Sequence, residues 1–302
     1  MNTGPDSASA ALRPLVIGAA GQLGRALLSR SSTAIGVSRP EIDLAETETL
    51  AERLQAVLDA NPGVDAVINA AAYTAVDKAE SEPDIAHTVN ADAPGIIAAV
   101  CEVRGLPFVH VSTDYVFDGE AEAPMTEDRV TAPINVYGLT KRDGETAVLD
   151  AGGRSAILRT SWVYGSTGTN FMLTMLRLAQ TRDTISVVED QVGRPTHAGD
   201  LAEACLACAE GLRAGRDGGI YHVSNTGPAT NWADFARAIF LLAGTGTQVV
   251  GIPSAAYPTP AARPRYSVMD TSAFEAAFGH ALPDWRDSLV TALAERAVAR
   301  PA

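Results

Sequence analysis

The stretch PLVIGAAGQLG (14–24) decides the fold of this chain. Its first seven residues form an apolar run that predicts a buried strand, and a helix is predicted over 22–30. Three glycines with the spacing G-x-x-G-x-x-G join the two elements. Glycines permit a tight turn and let backbone amides approach a pyrophosphate at a helix N-terminus. An ordinary strand-to-helix turn would rarely need three glycines, so the stretch indicates a dinucleotide-binding fold.

Short β-rich runs alternate with helical patterns through the first half of the chain. Further strands are predicted at 33–37, 64–72, 107–112 and 155–161. Helices are predicted between them at 46–59, at 83–103 and in the segment that carries Tyr137. Continuous apolar strands between helices are typical of a parallel sheet covered on both faces. With right-handed crossovers, this predicts an α/β fold with a doubly wound, Rossmann-like sheet that binds ligands at the carboxyl ends of its strands.

The second half of the chain is less regular. Helices are predicted near 170–180, 198–213, 232–243 and 284–297, and short strands at 185–188, 219–223 and 247–252. The proline-rich segment 252–267 is predicted to be a loop, because a helical pattern resumes after it. We therefore expect a nucleotide-binding domain of residues 1–165 with about 196–224, and a smaller C-terminal substrate-binding lobe of 166–195 and 225–302.

Composition limits the class of function. The chain has 302 residues, 46% of them hydrophobic, and a net charge of −13. This acidic balance argues against a protein that tracks nucleic-acid phosphates, and an anionic ligand would need a local basic pocket. Clustered metal ligands are not evident, so no metal is expected. The three cysteines make no disulfide framework, and Cys205 and Cys208 are interpreted as small apolar residues of a helix.

The chain carries no sequence signal for a membrane or for export. No apolar run approaches the ~18 residues of a membrane span. The opening MNTGPDSASAALRP lacks a basic region followed by a long apolar core, so it is expected to be a short disordered lead-in and not a signal peptide. A cytoplasmic location is the expectation.

Tyr137 and Lys141 stand four residues apart in NVYGLTK (135–141). Residues i and i+4 share one face of a helix, so the phenol and the ammonium can point to the same place. An exposed helix with one aromatic and one charge is the alternative for an isolated pair. Ser112-Thr113-Asp114-Tyr115 places two hydroxyls at the carboxyl end of the preceding strand, where active sites of such sheets lie. Together with the glycine turn, these parts predict an acid/base site.

The end of the second strand bears on cofactor choice. An acid normally stands there, about 20 residues after the glycines, and binds a ribose 2′-hydroxyl. Here the residues are Ser38 and Arg39, and a hydroxyl with a guanidinium suits a 2′-phosphate. NADPH is therefore predicted in preference to NADH, which stays possible, although Arg39 could also be a solvated loop residue. Asp43 is a candidate for an adenine contact or for a cap of the next helix, with Glu46 three residues on.

Taken together, these motifs resemble those of the extended short-chain dehydrogenase/reductases, and within them those of the dTDP-4-dehydrorhamnose reductase family. The resemblance covers nearly the full length. It rests on GAAGQLG (18–24), NAAAYTAVDKAESEP (69–83), HVSTDYVFDG (110–119), APINVYGLTK (132–141), RTSWVYG (159–165), DQVGRPT (190–196) and AYPTPAARPRYS (256–267).

The resemblance implies reduction of the C4 ketone of a dTDP-linked 4-keto-6-deoxy sugar, dTDP-4-dehydro-β-L-rhamnose, by NADPH. Tyr137 would protonate the developing alkoxide, and Thr113 would hydrogen-bond the carbonyl oxygen. Making a phenol useful near neutrality needs a pKa depression of roughly 3 units, about 4 kcal/mol. Lys141 is expected to supply part of that depression and to hold the nicotinamide ribose.

The resemblance also implies binding residues and leaves the oligomeric state open, with a homodimer among the options. The expected cofactor contacts are Gly18, Gly21, Gln22, Leu23, Gly24, Ser38, Arg39, Asp43, Leu44, Ala71, Ala72, Tyr73 and Lys141. The expected substrate contacts are Thr113, Asp114, Tyr137, Trp162, Arg263 and Arg265, with the two arginines neutralising the substrate diphosphate. Asn90 and Gln191 are weaker candidates.

Other functions on the same fold are weighed by single residues. A sugar-nucleotide dehydratase needs an Asp-Glu pair after the threonine, and Tyr115 stands where the glutamate would be. An epimerase would retain NAD, against which Ser38 and Arg39 argue. A non-catalytic NADP-binding regulatory subunit need not keep Thr113, Tyr137 and Lys141 together. No residue in the sequence distinguishes a reductase that gives dTDP-L-rhamnose from one that gives the C4 epimer or a related deoxysugar.

Overall fold

A six-stranded parallel sheet lies at the centre of the computed structural model, which describes residues 11–299. Residues 1–10 of the expected disordered lead-in lie outside the described residues. The strands are β1 (Pro14–Ile17), β2 (Ile35–Val37), β3 (Ala66–Asn69), β4 (Phe108–Thr113), β5 (Ser155–Thr160), β6 (Val163–Tyr164), β7 (Thr184–Val188), β8 (Val192–Gly193), β9 (Thr196–His197), β10 (Gly219–His222), β11 (Thr230–Asn231) and β12 (Gln248–Ile252).

Helices alternate with these strands through the first half and cluster in the second. They are α1 (Gln22–Arg30), α2 (Thr47–Ala60), α3 (Val76–Ala79), α4 (Pro83–His87), α5 (Ala93–Val103), α6 (Val136–Asp150), α7 (Phe171–Leu178), α8 (Ala198–Arg213), α9 (Trp232–Ala243), α10 (Ser272–Phe278) and α11 (Trp285–Ala299). None of these helices is long and apolar enough, within residues 11–299, to cross a bilayer.

The sheet has the strand order β10-β5-β4-β3-β1-β2, and all of its pairs are parallel. The chain leaves β1 for β2 on one side and then crosses back to β3 on the other, which makes the sheet doubly wound. The predicted α/β fold is therefore confirmed. The pairings Ile17↔Asn69 and Asn69↔His110 bring the carboxyl ends of β1, β3 and β4 to one edge, beside the switch point where such sheets bind ligands.

Two apolar layers cover the sheet, as its continuous hydrophobic strands require. One layer joins α1 and α8 to one face through side chains such as Leu27, Leu201 and Cys205. The other joins α2, α5 and α6 to the opposite face through Leu54, Ile97 and Val148, among others. Cys205 and Cys208 are free thiols inside the first layer, and burial raises the pKa of Cys205 to about 12. They pack as small helix residues.

A third apolar cluster forms beyond the sheet. It packs α7, α9 and α11 against the parallel pair β7 and β12, around Phe235, Ile239 and Leu289. This cluster stands apart from the two layers of the central sheet and supplies the other wall of a cleft at the sheet edge. The proline-rich segment 252–267 runs as a loop with one short 3₁₀ turn, as predicted.

The predicted helix over 83–103 differs from the observed one. The helical path continues from α4 to α5, but Thr88–Asp92 between them is π-helical. Pro94 lacks the N–H that an α-helix would donate to the Asn90 carbonyl, so the ladder is broken there. The Asn90 carbonyl is left facing α6, and the wider turn keeps the Asn90 side chain buried beside the site.

We expect Gly144→Ala to lower the free energy of unfolding by about 1–3 kcal/mol, because an added methyl carbon would lie 2.0 Å from the Asn90 carbonyl oxygen. Urea denaturation measures this change. Gly246→Ala is the control, because an added carbon there meets nothing within 4 Å. If the two variants were equally stable, α6 would not lie this close to the π-helical segment.

Candidate active site

The glycine turn follows β1 and leads into α1 with an uncapped helix start. Gly18 has a φ of +87°, and an added Cβ at this position would lie 2.8 Å from the Ala71 nitrogen. At Gly24 an added Cβ would lie 2.2 Å from the Gly18 carbonyl oxygen. Gly21 precedes the first helical residue and has no side chain to cap it. The first amides of α1 therefore face the cavity at the end with positive partial charge, which suits a diphosphate.

A cavity of about 1010 Å³ opens above this turn. It brings together almost all of the cofactor and catalytic residues expected from the sequence. Those that line it are Gly18, Gly21, Gln22, Leu23, Ser38, Arg39, Asp43, Leu44, Ala71, Ala72, Tyr73, Thr113, Asp114, Tyr137, Lys141 and Trp162. Gly24 does not line it, because it packs beneath the turn against Gly18 and Ala19.

The residues after β2 show how the predicted 2′-phosphate contact would form. The Ser38 hydroxyl accepts a hydrogen bond of 3.0 Å from the Ala20 amide, which ties it to the glycine turn. Arg39 is exposed at the cavity rim, and its guanidinium makes no hydrogen bond or ion pair within residues 11–299. The idea that Asp43 caps α2 is wrong: Glu46 is the N-cap residue, and Asp43 accepts from the Ala45 amide in the turn before it.

Helix α6 presents Tyr137 and Lys141 to the floor of the cavity. Asn135 caps it by accepting from the Gly138 amide at 2.7 Å, and its own amide donates to the Ala262 carbonyl at 2.8 Å. Gly138 lets the first turn approach the strand end, because an added Cβ would lie 2.1 Å from the Tyr115 carbonyl oxygen. One asparagine thus joins the helix that carries the phenol to the proline-rich loop.

Lys141 is almost completely buried. Its Nζ lies 2.7 Å from the Val111 carbonyl oxygen, to which it donates, and 3.1 Å from His110 Nε2. Burial lowers the pKa of Lys141 to about 8, against the opposing effect of the Glu145 carboxylate. The ammonium therefore loses its proton much closer to neutrality than an exposed lysine does.

Tyr137 differs from the sequence-based expectation. Burial raises the pKa of its phenol to about 12, with Thr113 acting in the opposite direction and the Asp114 carboxylate raising it further. Lys141 does not lower the pKa of the phenol as expected, because its Nζ is directed to His110 and Val111. The phenol consequently rests in its protonated form, which is the form that a proton donor needs.

Thr113 and Asp114 form a buried pair at the end of β4. The Thr113 hydroxyl donates to Asp114 Oδ1 at 2.9 Å and accepts from the Tyr115 amide at 3.2 Å. Asp114 Oδ2 is buried without a hydrogen-bond partner among the described residues. Burial raises the pKa of Asp114 to about 7, although contacts with Thr113 and Ser267 act against the shift. This oxygen is a polar atom left for a ligand to pair with.

A second cavity, of about 990 Å³, adjoins the first and shares Tyr115 with it. Arg263 and Arg265 line it, as do Asp190, Gln191 and Trp232. Arg263 Nη2 pairs with Asp77 Oδ1 at 2.9 Å, while its Nη1 is buried without a partner among the described residues. The two arginines thus belong to a pocket that adjoins the cavity of Tyr137 and Lys141, and they give the acidic protein a local basic wall.

Trp162 stands between the two cavities in a strained conformation. Its φ of +49° lies in the left-handed region, which costs about 1–3 kcal/mol for a residue of this kind. Its ring stacks on Trp232 with centroids 3.5 Å apart, and an added Cβ at Gly193 would lie 2.5 Å from the same ring. Gln191 accepts from the Trp232 indole at 3.2 Å. Strain held by close packing is common where a ligand is bound.

Sequence reasoning missed several residues of the site. Tyr115, which it used only to exclude a dehydratase, lies edge-on to Tyr137 with ring centroids 5.5 Å apart. Trp232 was not singled out, and only the fold brings it to Trp162. His110 carried no signal beyond its place in an apolar strand. Asn90, a weaker candidate, holds the cavity wall instead, bonding both backbone groups of Tyr73 and the Thr140 hydroxyl.

Comparisons with known proteins match nearly the whole chain. The family model described as the RmlD substrate binding domain matches residues 12–298. The dTDP-4-dehydrorhamnose reductase of Burkholderia thailandensis is 44% identical over 292 residues, covering 91% of this chain and 96% of the relative. That of Streptomyces griseus is 44% identical over 284 residues, covering 92% and 91%.

A solved structure is similar over the same length. The Bacillus anthracis dTDP-4-dehydrorhamnose reductase, in complex with NADP, superposes with a TM-score of 0.87 at 34% identity. The superposition covers 94% of this chain and 99% of that one.

We expect Glu145→Gln to lower the free energy of unfolding by about 3 kcal/mol, because it removes the charge that neutralises a buried guanidinium. Both Glu145 oxygens bond Arg159, at 2.8 and 2.6 Å, and both side chains are buried. Urea denaturation at pH 7 is the measurement. Glu46→Gln, which breaks an exposed pair with Arg53, is the control and should change stability by less than about 1 kcal/mol. Equal effects of the two substitutions on the free energy of unfolding would mean that the buried pair contributes no more to stability than an exposed pair.

Proposed function

This chain belongs to the RmlD substrate-binding-domain family, and from that premise we infer that it is a dTDP-4-dehydrorhamnose reductase. The enzyme uses NADPH to reduce the C4 ketone of dTDP-4-dehydro-β-L-rhamnose, which yields dTDP-L-rhamnose, the last step of dTDP-rhamnose synthesis. The observation that carries this function is the presence of Thr113, Tyr137 and Lys141 in the cavity above the glycine turn, in a chain 44% identical to named reductases.

The cofactor fits the residues present. The uncapped start of α1 would take the diphosphate, and Ser38 with the unpaired Arg39 would take the 2′-phosphate. Ala71, Ala72 and Tyr73, after β3, would form the opposite wall. When bound, NADPH supplies a hydride to the ketone carbon.

Tyr137 and Lys141 handle the proton that the reduction consumes. The phenol rests protonated, so its Oη holds the hydrogen that passes to the C4 oxygen as that oxygen becomes an alkoxide. The resulting phenolate needs a neighbouring cation, and Lys141 is the only lysine or arginine on the same helix face one turn on. Lys141 would also hold the ribose hydroxyls and so orient the cofactor.

Thr113 supplies an oriented donor at the carbonyl oxygen. The Thr113 hydroxyl donates to Asp114 Oδ1, so a substrate oxygen would compete with that carboxyl for the same hydrogen. Protonation of Asp114 near pH 7 would weaken its hold on Thr113, which favours donation to the substrate.

The second cavity suits the nucleotide part of the substrate. Arg263 and Arg265 would neutralise the diphosphate, and the buried Nη1 of Arg263 is a donor awaiting an acceptor. Trp162, at the junction of the cavities, would contact the sugar.

The division of the chain follows from the same assignment. We place the cofactor on residues 1–165 with about 196–224, because β10 (Gly219–His222) completes the central sheet. The sugar nucleotide is placed against 166–195 and 225–302, whose apolar cluster around Phe235 packs separately, although α10 (Ser272–Phe278) packs against the layer that contains α8.

A cytoplasmic location suits the three buried free thiols, because thiols stay reduced there.

We also propose a homodimer, which light scattering would test.

With enzymatically prepared dTDP-4-dehydro-L-rhamnose, we expect Tyr137→Phe to lower kcat by ~10²–10⁴-fold, because the ring stays while its transferable hydrogen is lost. NADPH absorbance measures the rate, and product NMR assigns the C4 configuration. A wild-type protein that binds NADPH but leaves this sugar untouched would favour the non-catalytic subunit. A product with the opposite C4 configuration would identify the epimer-forming reductase.

We expect Arg39→Ala to raise the KM for NADPH about tenfold and to leave the KM for NADH unchanged, because only NADPH carries the 2′-phosphate. Steady-state kinetics with both cofactors gives the ratio. Arg286→Ala, at an exposed arginine paired with Asp284, is the control and should change neither value. Equal effects of Arg39→Ala on both cofactors would remove Arg39 from the 2′-phosphate site.

A further inference from the structure

A chain of buried hydrogen bonds runs beneath the cavity from β3 through β4 to α6. Asn69 Nδ2 lies 3.2 Å from His110 Nδ1, and His110 Nε2 lies 3.1 Å from Lys141 Nζ. Asn69 and His110 are completely buried, and Lys141 is nearly so. The register Asn69↔His110 in the parallel sheet places the first two side chains side by side. Asn69 and His110 have no exposed surface, so their hydrogens must be accepted within the protein.

The orientation of the Asn69 amide is set by the backbone. The Ala71 N–H donates to Asn69 Oδ1 at 3.1 Å, so the oxygen must face Ala71. The amide nitrogen Nδ2 then faces the imidazole, and it can only donate. His110 Nδ1 therefore accepts this hydrogen bond and carries no hydrogen of its own.

The place of the imidazole hydrogen follows from this. Burial, and then the nearby Lys141 charge, hold the pKa of His110 well below its ordinary value, so the ring is neutral and has one ring hydrogen. With Nδ1 accepting, that hydrogen is on Nε2 and points at Lys141 Nζ. An ammonium has no lone pair to accept it, whereas a neutral amine accepts it and still donates to the Val111 carbonyl.

We propose that His110 is a positioning residue of the reaction: held by Asn69 with its hydrogen on Nε2, it donates to Lys141 Nζ and favours the neutral amine of that lysine. The proposal rests on the proposed function, in which Lys141 serves the phenol and the cofactor. When Lys141 takes up a proton it can no longer accept from His110, and Nζ keeps only its donation to the Val111 carbonyl. His110 thereby couples the charge of Lys141 to the hydrogen bonds that position Nζ.

Other charges face Lys141 and set the background for its titration. Of the titratable groups nearby, Glu145 on α6 acts on Lys141 directly and pairs with Arg159 on β5, while Tyr137 and the Asp114 carboxyl after β4 line the same cavity. The Glu145 carboxylate stabilises the ammonium. His110 therefore acts against Glu145, and the two effects are separable by substitution at position 110 alone.

The chain offers a direct test, because it contains only two lysines, Lys78 and Lys141. Protein labelled with ¹³C-lysine gives two ε-carbon signals, which Lys78→Arg assigns. Lys78 is exposed and paired with Glu82, which raises its pKa above 10.5, whereas burial lowers that of Lys141 to about 8. On titration of the protein with pH, the Lys141 signal should therefore have its midpoint at a lower pH than the Lys78 signal.

His110→Gln should raise the Lys141 midpoint by about one pH unit, because the glutamine amide can turn its oxygen toward an ammonium. His222→Gln is the matched control: it changes another buried histidine, at the end of β10, and should leave the midpoint where it is. A midpoint that stays or falls in His110→Gln overturns the proposal, because His110 would then accept from an ammonium or act only by packing.

A second measurement tests the proposal on the wild-type protein itself. The ¹⁵N shifts of the histidine rings in the ligand-free wild type report which nitrogen of His110 carries the hydrogen, among only five histidines. We expect Nε2. Asn69→Asp should move the hydrogen to Nδ1, because the carboxylate oxygen that replaces Nδ2 can only accept. A hydrogen on Nδ1 in the wild type overturns the proposal.

These results are independent of the reductase assay, since they use no cofactor or sugar. If the wild type fails to reduce the sugar while the two NMR results hold, the proposed function falls and the His110 assignment stays. In an active enzyme, the alkaline limb of the kcat profile should shift upward in His110→Gln with the Lys141 midpoint, and His222→Gln should leave it in place.

Discussion

Helix α6 lies so close to the elements around it that two of its glycines have no room for a side chain. Gly138 faces the Tyr115 carbonyl and Gly144 faces the Asn90 carbonyl, each at a distance that a Cβ would reduce to about 2 Å. Lys141 stands between them on the same face, three residues from each, so it enters the protein where the backbones meet. This close contact buries the lysine against β4 and places Tyr137 at the cavity. The position of both groups depends on it.

The same contact explains why polar side chains lie inside an apolar sheet. Glu145 follows Lys141 by one turn and is buried with Arg159 and the Ser112 hydroxyl. Each charge has hydrogen-bonded partners, which is the condition for burying charged groups at all. At the carboxyl end of β4 the Ser112 hydroxyl joins this buried network by donating to Glu145, whereas the next two residues, Thr113 and Asp114, bond each other beside the cavity.

Much of the fold was predictable from periodicity and turn residues. The predicted bounds of α1, α8 and α9 match the observed ones, because each has an apolar face and a clear start or end, such as the left-handed Gly244 after α9. The predicted first and third strands were too long, since local pattern does not show where the sheet edge stops pairing. The site residues that belong to sequence motifs, such as Tyr137 and Lys141, were predictable. His110 and Trp232 were not, because 31 residues separate His110 from Lys141 and 70 separate Trp162 from Trp232.

The charged forms of Lys141 and Asp114 lower the free energy of unfolding, and they do so most near neutral pH. Between about pH 8 and 10.5 the unfolded chain keeps a Lys141 proton that the folded chain has lost, so stability rises with pH there. Between 3.8 and about pH 7 the folded chain keeps an Asp114 proton that the unfolded chain has lost, so stability falls with pH there. Both penalties are therefore present in full between about pH 7 and 8. Neutral side chains of similar size would avoid them. That the fold keeps two such groups beside one phenol is the pattern of a site whose proton transfers are set at the expense of stability.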